Sequence, residues 1–267
     1  RAAAPMFSPI WGRIRMNAGC WSNEGIIISH SAHSRARQAV AKANLSRYSA
    51  MDDSSIGAEQ MSTQDLPQIY LVTPTVLDLE TYPAQLARIL DSVDIACLRL
   101  GLASTDEDEI ARTADALRDV AHARDIMLVI ERHALMVDRL GLDGVHLMNS
   151  GRNLRQLRKD MGDDVILGAF CNTSRHEGIS AGEAGADYVS FGPVAASTLG
   201  DGNQVDPELL SWWSEMIEVP VVVEGGLTQG LIHTLSDKVD FFAIGPEIWS
   251  TEDPLLALQA LAAAREG

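Results

Sequence analysis

GADYVSFGPVAASTLGDG, residues 185–202, is the stretch that decides the fold of this 267-residue chain. Within it, Tyr188–Phe191 is a short β-rich run of the kind that forms a buried strand. Gly192-Pro193 ends the strand, and a long loop of small and hydroxylated residues leads to Asp206-Pro207, where a helix is predicted to begin. Long loops inside a compact domain are uncommon and usually functional. The stretch therefore predicts a strand, a functional loop and a helix, in that order.

The same unit recurs along the chain. Residues 219–223 form a second strand-like run, followed by Gly225-Gly226, and residues 239–244 form a third, closed by Gly245. Five earlier runs, at residues 69–72, 95–100, 126–130, 144–147 and 165–169, each precede a segment predicted to be helical. The first of these helices is predicted over residues 78–90, the second is predicted to be capped by Thr105, and the third is predicted to run through residue 140. Eight β–α repeats in about 200 residues predict an α/β fold, the (β/α)8 TIM barrel, with functional loops at the C-terminal ends of its strands. A doubly wound open sheet is the alternative, but no G-x-G-x-x-G turn follows the first strand.

Residues 1–64 differ in composition from the rest of the chain. They carry Arg and Ser, with seven Lys/Arg against four Asp/Glu, and they show no sustained period. We expect a poorly ordered leader outside the fold, either an organellar presequence or a translated upstream or vector region ahead of Met51 or Met61. The barrel is assigned to residues 65–267.

The net charge of −16 is divided unevenly. Residues 1–50 contain seven Lys/Arg and one acidic residue, so residues 51–267 contain the other 14 basic and 36 acidic residues, a net charge of −22. A body this acidic repels phosphate backbones, which argues against nucleic-acid binding. Cys20, Cys97 and Cys171 lack metal or disulfide spacing, and no run approaches the length of a membrane span. We therefore predict a cytoplasmic protein with no membrane partner, and a homo-oligomer stays open.

The last two predicted loops contain glycines that could bind a phosphate. Gly225 and Gly226 follow the seventh strand, and Gly245 follows the eighth. Glycines there expose backbone N–H groups, and this end of a barrel is where phosphate sites are common. The alternative is that the glycines only permit tight turns, but their recurrence in both loops favours a phosphate site.

Six motifs together resemble the thiamine phosphate synthase family, which includes the thiazole tautomerases. They are YLVT at 70–73, DGVHL at 143–147, GADYV at 185–189, FGPV at 191–194, VPVV at 219–222 and GGL at 225–227. The resemblance covers residues 68 to about 265. It implies an Mg²⁺-dependent transferase that joins a hydroxymethylpyrimidine diphosphate to a thiazole phosphate and releases diphosphate. It also implies that Gly225, Gly226 and Gly245 hold the acceptor's phosphate.

The chain departs from the family pattern where the cations should be. Of the strand-two motif Gln-x-Arg-x-Lys, only Arg99 is kept, and Glu131-Arg132 replace the Asn-Asp whose aspartate holds magnesium. A second magnesium carboxylate is replaced around Asn149, and the Thr-x-Thr-Lys loop keeps hydroxyls at Ser197 and Thr198 without its lysine. Mg²⁺ is thus implied by the resemblance while its carboxylate ligands are missing, and we assign no metal ligand.

Arginine can carry charge to a phosphate in place of a metal, and it can do so through two hydrogen bonds. We therefore hypothesise that Arg99 and Arg132 form a metal-independent anion site, the alternative being that Arg132 is a solvated residue at a strand end. Glu131 and Glu224 at strand ends could anchor an amine of a pyrimidine ligand or pair with Arg99.

Two residues after the fifth strand have weaker signals. His176 could be an acid or base, as a histidine in this turn is in the tautomerases, or an exposed residue at a helix start. Cys171 could bind a ligand or fill a small apolar space. The predicted catalytic residues are Arg99, Glu131, Arg132 and His176, and the predicted substrate-binding residues are Asn149, Cys171, Ser197, Thr198, Glu224, Gly225, Gly226 and Gly245.

Two classes of function follow from these patterns. The first is the transferase of thiamine biosynthesis, acting on phosphorylated small molecules with an altered cation set. The second is a diverged, non-catalytic barrel that binds a phosphorylated metabolite; a tautomerase-like isomerase is a further alternative.

Overall fold

The computed structural model describes residues 66–266, in which eight parallel strands close into a barrel. Each strand pairs with the next along the chain, and the last pairs with the first. The strands are β1 Gln68–Val72, β2 Ile95–Leu100, β3 Met127–Glu131, β4 Gly144–Leu147, β5 Ile166–Phe170, β6 Tyr188–Phe191, β7 Val221–Glu224 and β8 Phe241–Ile244. The predicted (β/α)8 barrel is confirmed. The predicted leader lies outside the described residues.

Helices follow the strands and cover the outside of the barrel. They are α1 Tyr82–Ser92, α2 Glu107–His122, α3 Val137–Leu140, α4 Leu154–Met161, α5 Arg175–Ala184, α6 Pro207–Met216, α7 Gln229–Leu235, α8 Pro246–Trp249 and α9 Pro254–Ala263, and α3 is preceded by a 3-10 turn at Ala134–Met136. Within residues 66–266, none of the helices has the length and apolarity needed to cross a membrane.

Local hydrogen bonds set two helix starts differently from the sequence prediction. The first helix was predicted from residue 78 but begins at Tyr82, because Asp78 instead holds a turn by accepting from the Thr81 hydroxyl at 2.9 Å. Thr105 was predicted to cap α2, but the cap is Asp106, whose carboxylate accepts from the backbone N–H of Asp108 at 2.9 Å. A charged acceptor stabilises the first turn through both the hydrogen bond and the helix dipole.

The larger hydrophobic core lies between the strands and the helices. Trp213 of α6 is 1% exposed there, and its ring meets Phe191 of β6 edge-on at 5.0 Å between centroids. Its indole N–H donates to the carbonyl oxygen of Val219 at 2.9 Å, so the buried polar atom is satisfied. Trp213 therefore packs in the core and does not face the mouth of the barrel.

The barrel interior has a second, smaller core with polar residues above it. Successive strand residues point to opposite faces, so alternate residues of each strand enter the interior. Apolar and aromatic side chains, including Tyr70, Val129 and Tyr188, fill its lower part. Buried polar residues lie nearer the C-terminal ends of the strands; they include Arg99, His146, Ser190 and Glu224. This polar layer forms the floor of the mouth, the end of the barrel where the strand-to-helix loops meet.

Candidate functional site

Four charged side chains from three strands and one loop meet at the mouth. Arg99 of β2 binds Glu224 of β7 with both terminal nitrogens, at 3.3 Å to Oε1 and 2.5 Å to Oε2. Its Nε lies 3.7 Å from Oε2 of Glu131 on β3. Arg132, in the loop after β3, contacts Oε1 of Glu131 at 3.1 Å. The structure thus brings together the two predicted arginines and the two predicted glutamates.

These four residues differ in depth. Arg99 and Glu224 are 4% and 3% exposed, whereas the side chains of Glu131 and Arg132 are 12% and 58% exposed. Arg99 therefore lies below the mouth and affects it only through the carboxylates that it binds. Arg132 has the guanidinium that a ligand can contact directly. The proposed pairing of Glu131 and Glu224 with Arg99 is present in the structure.

The deep pair is fully ionised at neutral pH. Burial acts to raise the pKa of Glu224, but the charge of Arg99 and its hydrogen bonds outweigh burial and lower that pKa to about 2. Burial likewise acts to lower the pKa of Arg99, and the opposing charge of Glu224 raises it above its ordinary value. The floor of the mouth is therefore a neutralised ion pair rather than an open cation site.

Two separate sets of buried hydrogen bonds, one at Glu224 and one at His146, lie in the barrel, and Nε2 of His146 has no hydrogen-bond partner among the residues that the structure describes. The Ser190 hydroxyl donates to Oε1 of Glu224 at 2.6 Å, and Nε2 of His146 lies 3.8 Å from the same oxygen. Nδ1 of His146 lies 2.9 Å from the hydroxyl of Tyr188, which lies 2.7 Å from the hydroxyl of Tyr70. Burial, and next the charge of Arg99, lower the pKa of His146 to about 3, so its ring is neutral.

Gly168 of β5 makes room for the hydrogen bonds that join His146, Tyr188 and Tyr70. A Cβ atom at this position would lie 2.1 Å from Cζ of Tyr188. The ring of Tyr188 stacks on His146 at 5.6 Å between centroids, so the glycine fixes where both rings lie. His146 is fully buried in the interior, and the roles of Ser190 and Gly168 carry no signal in the sequence.

Three consecutive strands are each followed by a residue that is not glycine but has a left-handed backbone conformation. Arg132, Ser150 and Asn172 follow β3, β4 and β5 with φ values of 70°, 56° and 49°. Glu177 of α5 ties two of them together, accepting from the Ser150 hydroxyl at 2.6 Å and from the Asn172 amide at 3.4 Å. Strained backbone of this kind clusters at functional sites. Glu177 was missed because a glutamate in the first turn of a helix is typical of ordinary capping.

The remaining predicted side chains divide between exposed loops and the core. Asn149, Ser197 and Thr198 are exposed on loops at the mouth, and His176 is exposed at the start of α5. Cys171 instead lies in the core between strands and helices with no exposed surface, and burial raises the pKa of its thiol to about 12. The side chain of Cys171 therefore does not line the mouth, because it follows β5 on the face that packs against the helices.

The predicted phosphate loops approach each other at the mouth. Gly225 and Gly226 adopt φ values of 85° and 79°, which favour glycine. Their backbone packs closely against the loop after β6, since a Cβ on Gly226 would lie 2.9 Å from that of Ala195. The backbone N–H groups of Gly226 and Gly245 both donate to the carboxylate of Glu247, at 2.9 Å and 3.0 Å. No motif in the sequence marks Glu247 as a site residue.

The side chains at this mouth do not fit a magnesium site. Mg²⁺ prefers octahedral oxygen ligands and is held by carboxylates free to bind it. Here Glu131 and Glu224 bind arginines, Glu177 binds Ser150, and Glu247 binds the glycine loops. In the part of the chain that the structure describes, no group of three or more His, Cys, Asp or Glu side chains is placed to hold a metal ion.

Comparison with known proteins shows which family the barrel belongs to. A family model described as thiamine monophosphate synthase matches residues 69–248. The chain belongs to the thiamine monophosphate synthase family. It is 37% identical over 185 residues to the thiamine-phosphate synthase of Rhodospirillum centenum, which covers 68% of this chain and 89% of that protein. It is 35% identical over 210 residues to the thiamine-phosphate synthase of Erythrobacter litoralis, which covers 76% of this chain and 97% of that protein.

Solved structures share the fold at lower identity. Thiamine phosphate pyrophosphorylase from Pyrococcus furiosus has a TM-score of 0.65 and 21% identity, covering 74% of this chain and 95% of that one. A 3-hexulose-6-phosphate synthase has a TM-score of 0.53 and 17% identity, covering 73% of this chain and 98% of that one. The family resemblance read from the sequence is therefore confirmed, and the tautomerase alternative receives no support from these relatives.

Proposed function

We propose that the protein is a transferase of thiamine biosynthesis that joins a hydroxymethylpyrimidine diphosphate to a thiazole. The observation that carries the proposal is family membership along the whole barrel: the family model matches residues 69–248, and the matched region takes in 97% of the synthase from Erythrobacter litoralis. The mouth adds a second support, because charged groups and hydroxyls from several strand ends converge there.

The reaction makes one bond and breaks one. The thiazole nitrogen donates its electron pair to the methylene carbon of the pyrimidine, and the bond from that carbon to the diphosphate oxygen breaks. Diphosphate leaves with the electron pair, so negative charge grows on it as the bond lengthens. Groups aimed at this developing charge lower the barrier most.

Arg132 is the residue we assign to the leaving diphosphate. Its side chain is 58% exposed at the mouth, and its contact with Glu131 at 3.1 Å limits where the guanidinium can lie. Arginine binds phosphate oxygens through paired hydrogen bonds. We assign no step to a metal, because the carboxylates at the mouth are engaged by this chain's own donors.

Glu131 is the residue we assign to the pyrimidine. It is more exposed than Glu224, so its carboxylate can accept a hydrogen bond from a ring amine while Glu224 stays below it. Arg99 is then a positioning residue, since it holds both glutamates without reaching the ligand. This ranking of the two glutamates comes from their depth in the barrel.

A non-catalytic binding protein is the second candidate. It is favoured by the same engagement of the carboxylates, which leaves Arg132 as the exposed cation among these four mouth residues. Such a mouth would bind ligand without turnover if its cations stabilised the charge on the departing diphosphate too weakly for the bond to break.

One assay separates the two candidates. The full chain is given the pyrimidine diphosphate with either the thiazole phosphate or the thiazole alcohol, in Mg²⁺ or in EDTA, and condensed product is measured. We expect product above the uncatalysed rate in both buffers. Product in the Mg²⁺ buffer but not in EDTA would overturn the assignment of diphosphate to Arg132, and it would still support the transferase. Absence of product from folded protein under every condition would overturn the transferase and support the binding protein.

A further inference from the structure

Glu247 bridges the two loops in which the sequence predicts a phosphate site. It lies in the second position of α8, directly after the β8 loop. Oε1 accepts from the backbone N–H groups of Gly226 at 2.9 Å and Leu227 at 3.2 Å, and Oε2 accepts from that of Gly245 at 3.0 Å. One carboxylate thus uses three backbone donors from both loops.

These contacts are the ones a phosphate would make. Backbone N–H groups from the loops after strands seven and eight commonly bind phosphate in barrels of this kind. The three distances to Glu247 lie within the ordinary range of N–H···O hydrogen bonds. The loops cannot spread easily to admit both anions, because Gly226 is already packed against Ala195. A phosphate and the carboxylate of Glu247 therefore compete for the same donors.

The surrounding charges do not favour the phosphate. Glu131, Glu224 and Glu247 bring three negative charges to the mouth, while Arg99 and Arg132 bring two positive ones that are bound to the first two carboxylates. A dianion placed beside Glu247 would gain no neutralising partner from these groups. An alcohol in the same place is uncharged and can donate its hydrogen to the carboxylate.

We propose that Glu247 is a specificity-determining residue, an internal anion that makes this barrel select a thiazole with a free hydroxyl over its phosphate ester. The inference rests on the proposed transferase function and names its acceptor. The bond changes are those already described, and the product is the condensed alcohol rather than its phosphate. Glu247 keeps its charge throughout and takes no part in the bonds that form or break.

The first test measures binding and needs no turnover. Inorganic phosphate is titrated by calorimetry into the full chain, into Glu247→Ala and Glu247→Gln, and into Glu183→Ala as a control. Glu183 is an exposed carboxylate near the end of α5, at the opposite end of the barrel, and its loss changes the net charge equally. We expect at least tenfold tighter phosphate binding by Glu247→Ala, which corresponds to about 1.4 kcal/mol.

The isosteric Glu247→Gln keeps a single accepting oxygen, which can serve only one of the two loops, but it leaves no cavity and so guards against loss of folding in the alanine variant. We expect it to show a smaller gain in phosphate affinity, and Glu183→Ala to bind like the unaltered chain. If the unaltered chain binds phosphate as tightly as both Glu247 variants, the proposal is wrong.

The second test measures acceptor choice. We expect the ratio of kcat/KM for the thiazole alcohol to that for the thiazole phosphate to exceed one in the unaltered chain, and to fall at least tenfold in Glu247→Ala. An unchanged ratio would refute the specificity role. If neither acceptor gives product, the transferase proposal fails, while the phosphate titration still decides whether Glu247 blocks the loops.

Discussion

Replacing Arg99 by methionine tests the ion pair on which the mouth rests. Arg99 and Glu224 are 4% and 3% exposed, so the substitution leaves a buried carboxylate without its cation. Breaking a buried pair in this way costs about 3–5 kcal/mol. The pKa of Glu224 agrees in direction, since burial acts to raise it and the charge of Arg99 keeps it below its ordinary value. We expect Arg99→Met to lose this much unfolding free energy at pH 7, measured by urea titration with tryptophan fluorescence.

The loss should depend on pH in a defined direction. Because the pKa of Glu224 is lower in the folded chain than in the unfolded one, its contribution is complete above pH 4.5 and is lost as the pH falls from 4.5 towards 2. In Arg99→Met the buried carboxyl is best tolerated when protonated. The difference between the two proteins should therefore shrink between pH 7 and pH 4.

A surface arginine provides the matched control. Arg124 also binds one carboxylate through two hydrogen bonds, from Nε and a terminal nitrogen to Asp91 at 2.7 Å and 2.9 Å, but on the outside of the barrel. Both of those charges stay in water when the pair is broken, so Arg124→Met should have a much smaller effect. Equal losses in the two variants would refute the reasoning from burial. So would a double variant, Arg99→Met with Glu224→Met, that is no more stable than Arg99→Met alone, because removing both charges removes the uncompensated one.

Two further predictions concern the exposed cation and the packing of the barrel interior. Arg132→Ala should weaken the binding of inorganic diphosphate about tenfold by calorimetry, as expected for loss of a charge-assisted contact of about 1.4 kcal/mol. It should leave the urea midpoint near that of the unaltered chain, because the side chain is 58% exposed. An unchanged affinity would contradict the assignment of Arg132 to the diphosphate. Gly168→Ala should destabilise the barrel by about 1–3 kcal/mol or more in thermal unfolding, since the new methyl lies 2.1 Å from the Tyr188 ring. The control is Gly230→Ala in α7, where nothing lies within 4 Å of the added atom, and it should be neutral or stabilising. If Gly230→Ala were the more destabilising of the two, the interior would repack freely around the new methyl of Gly168→Ala.

The fold was predictable from the sequence because its signals are local. Each strand is a short apolar run closed by glycine or a polar residue, and the predicted limits of β2, β4 and β6 agree with the structure at every residue. The helix after β3 was predicted through residue 140, yet only Val137–Leu140 is α-helical. Arg132 adopts a left-handed backbone conformation, and Ala134–Met136 form a 3-10 turn. Neither departure from the predicted helix is marked in the sequence by a glycine or a proline.

The site was predictable only where one residue carried its own signal. Arg99, Glu131 and Arg132 were predicted from the family's cation motifs, and Glu131 and Glu224 also from their position at strand ends, where a barrel builds its site. Glu247 and Ser190 were missed because their partners lie 21 and 34 residues away, at Gly226 and Glu224. No spacing rule along a chain relates such positions, and only closure of the barrel brings them together.

Depth in the barrel divides the charges of this mouth into two kinds. Arg99 and Glu224 lie in the floor, where water screens them little, so their attraction stabilises the fold and holds Glu131 in place. Arg132 stands in water and can exchange its contact with Glu131 for one with a ligand at small cost, because an exposed ion pair is worth little. Glu247 lies between these extremes, half-buried and bound by three backbone donors, so a competing anion must replace all three contacts at once. The same chain can therefore stay open to a diphosphate beside Arg132 while its glycine loops are closed to a phosphate.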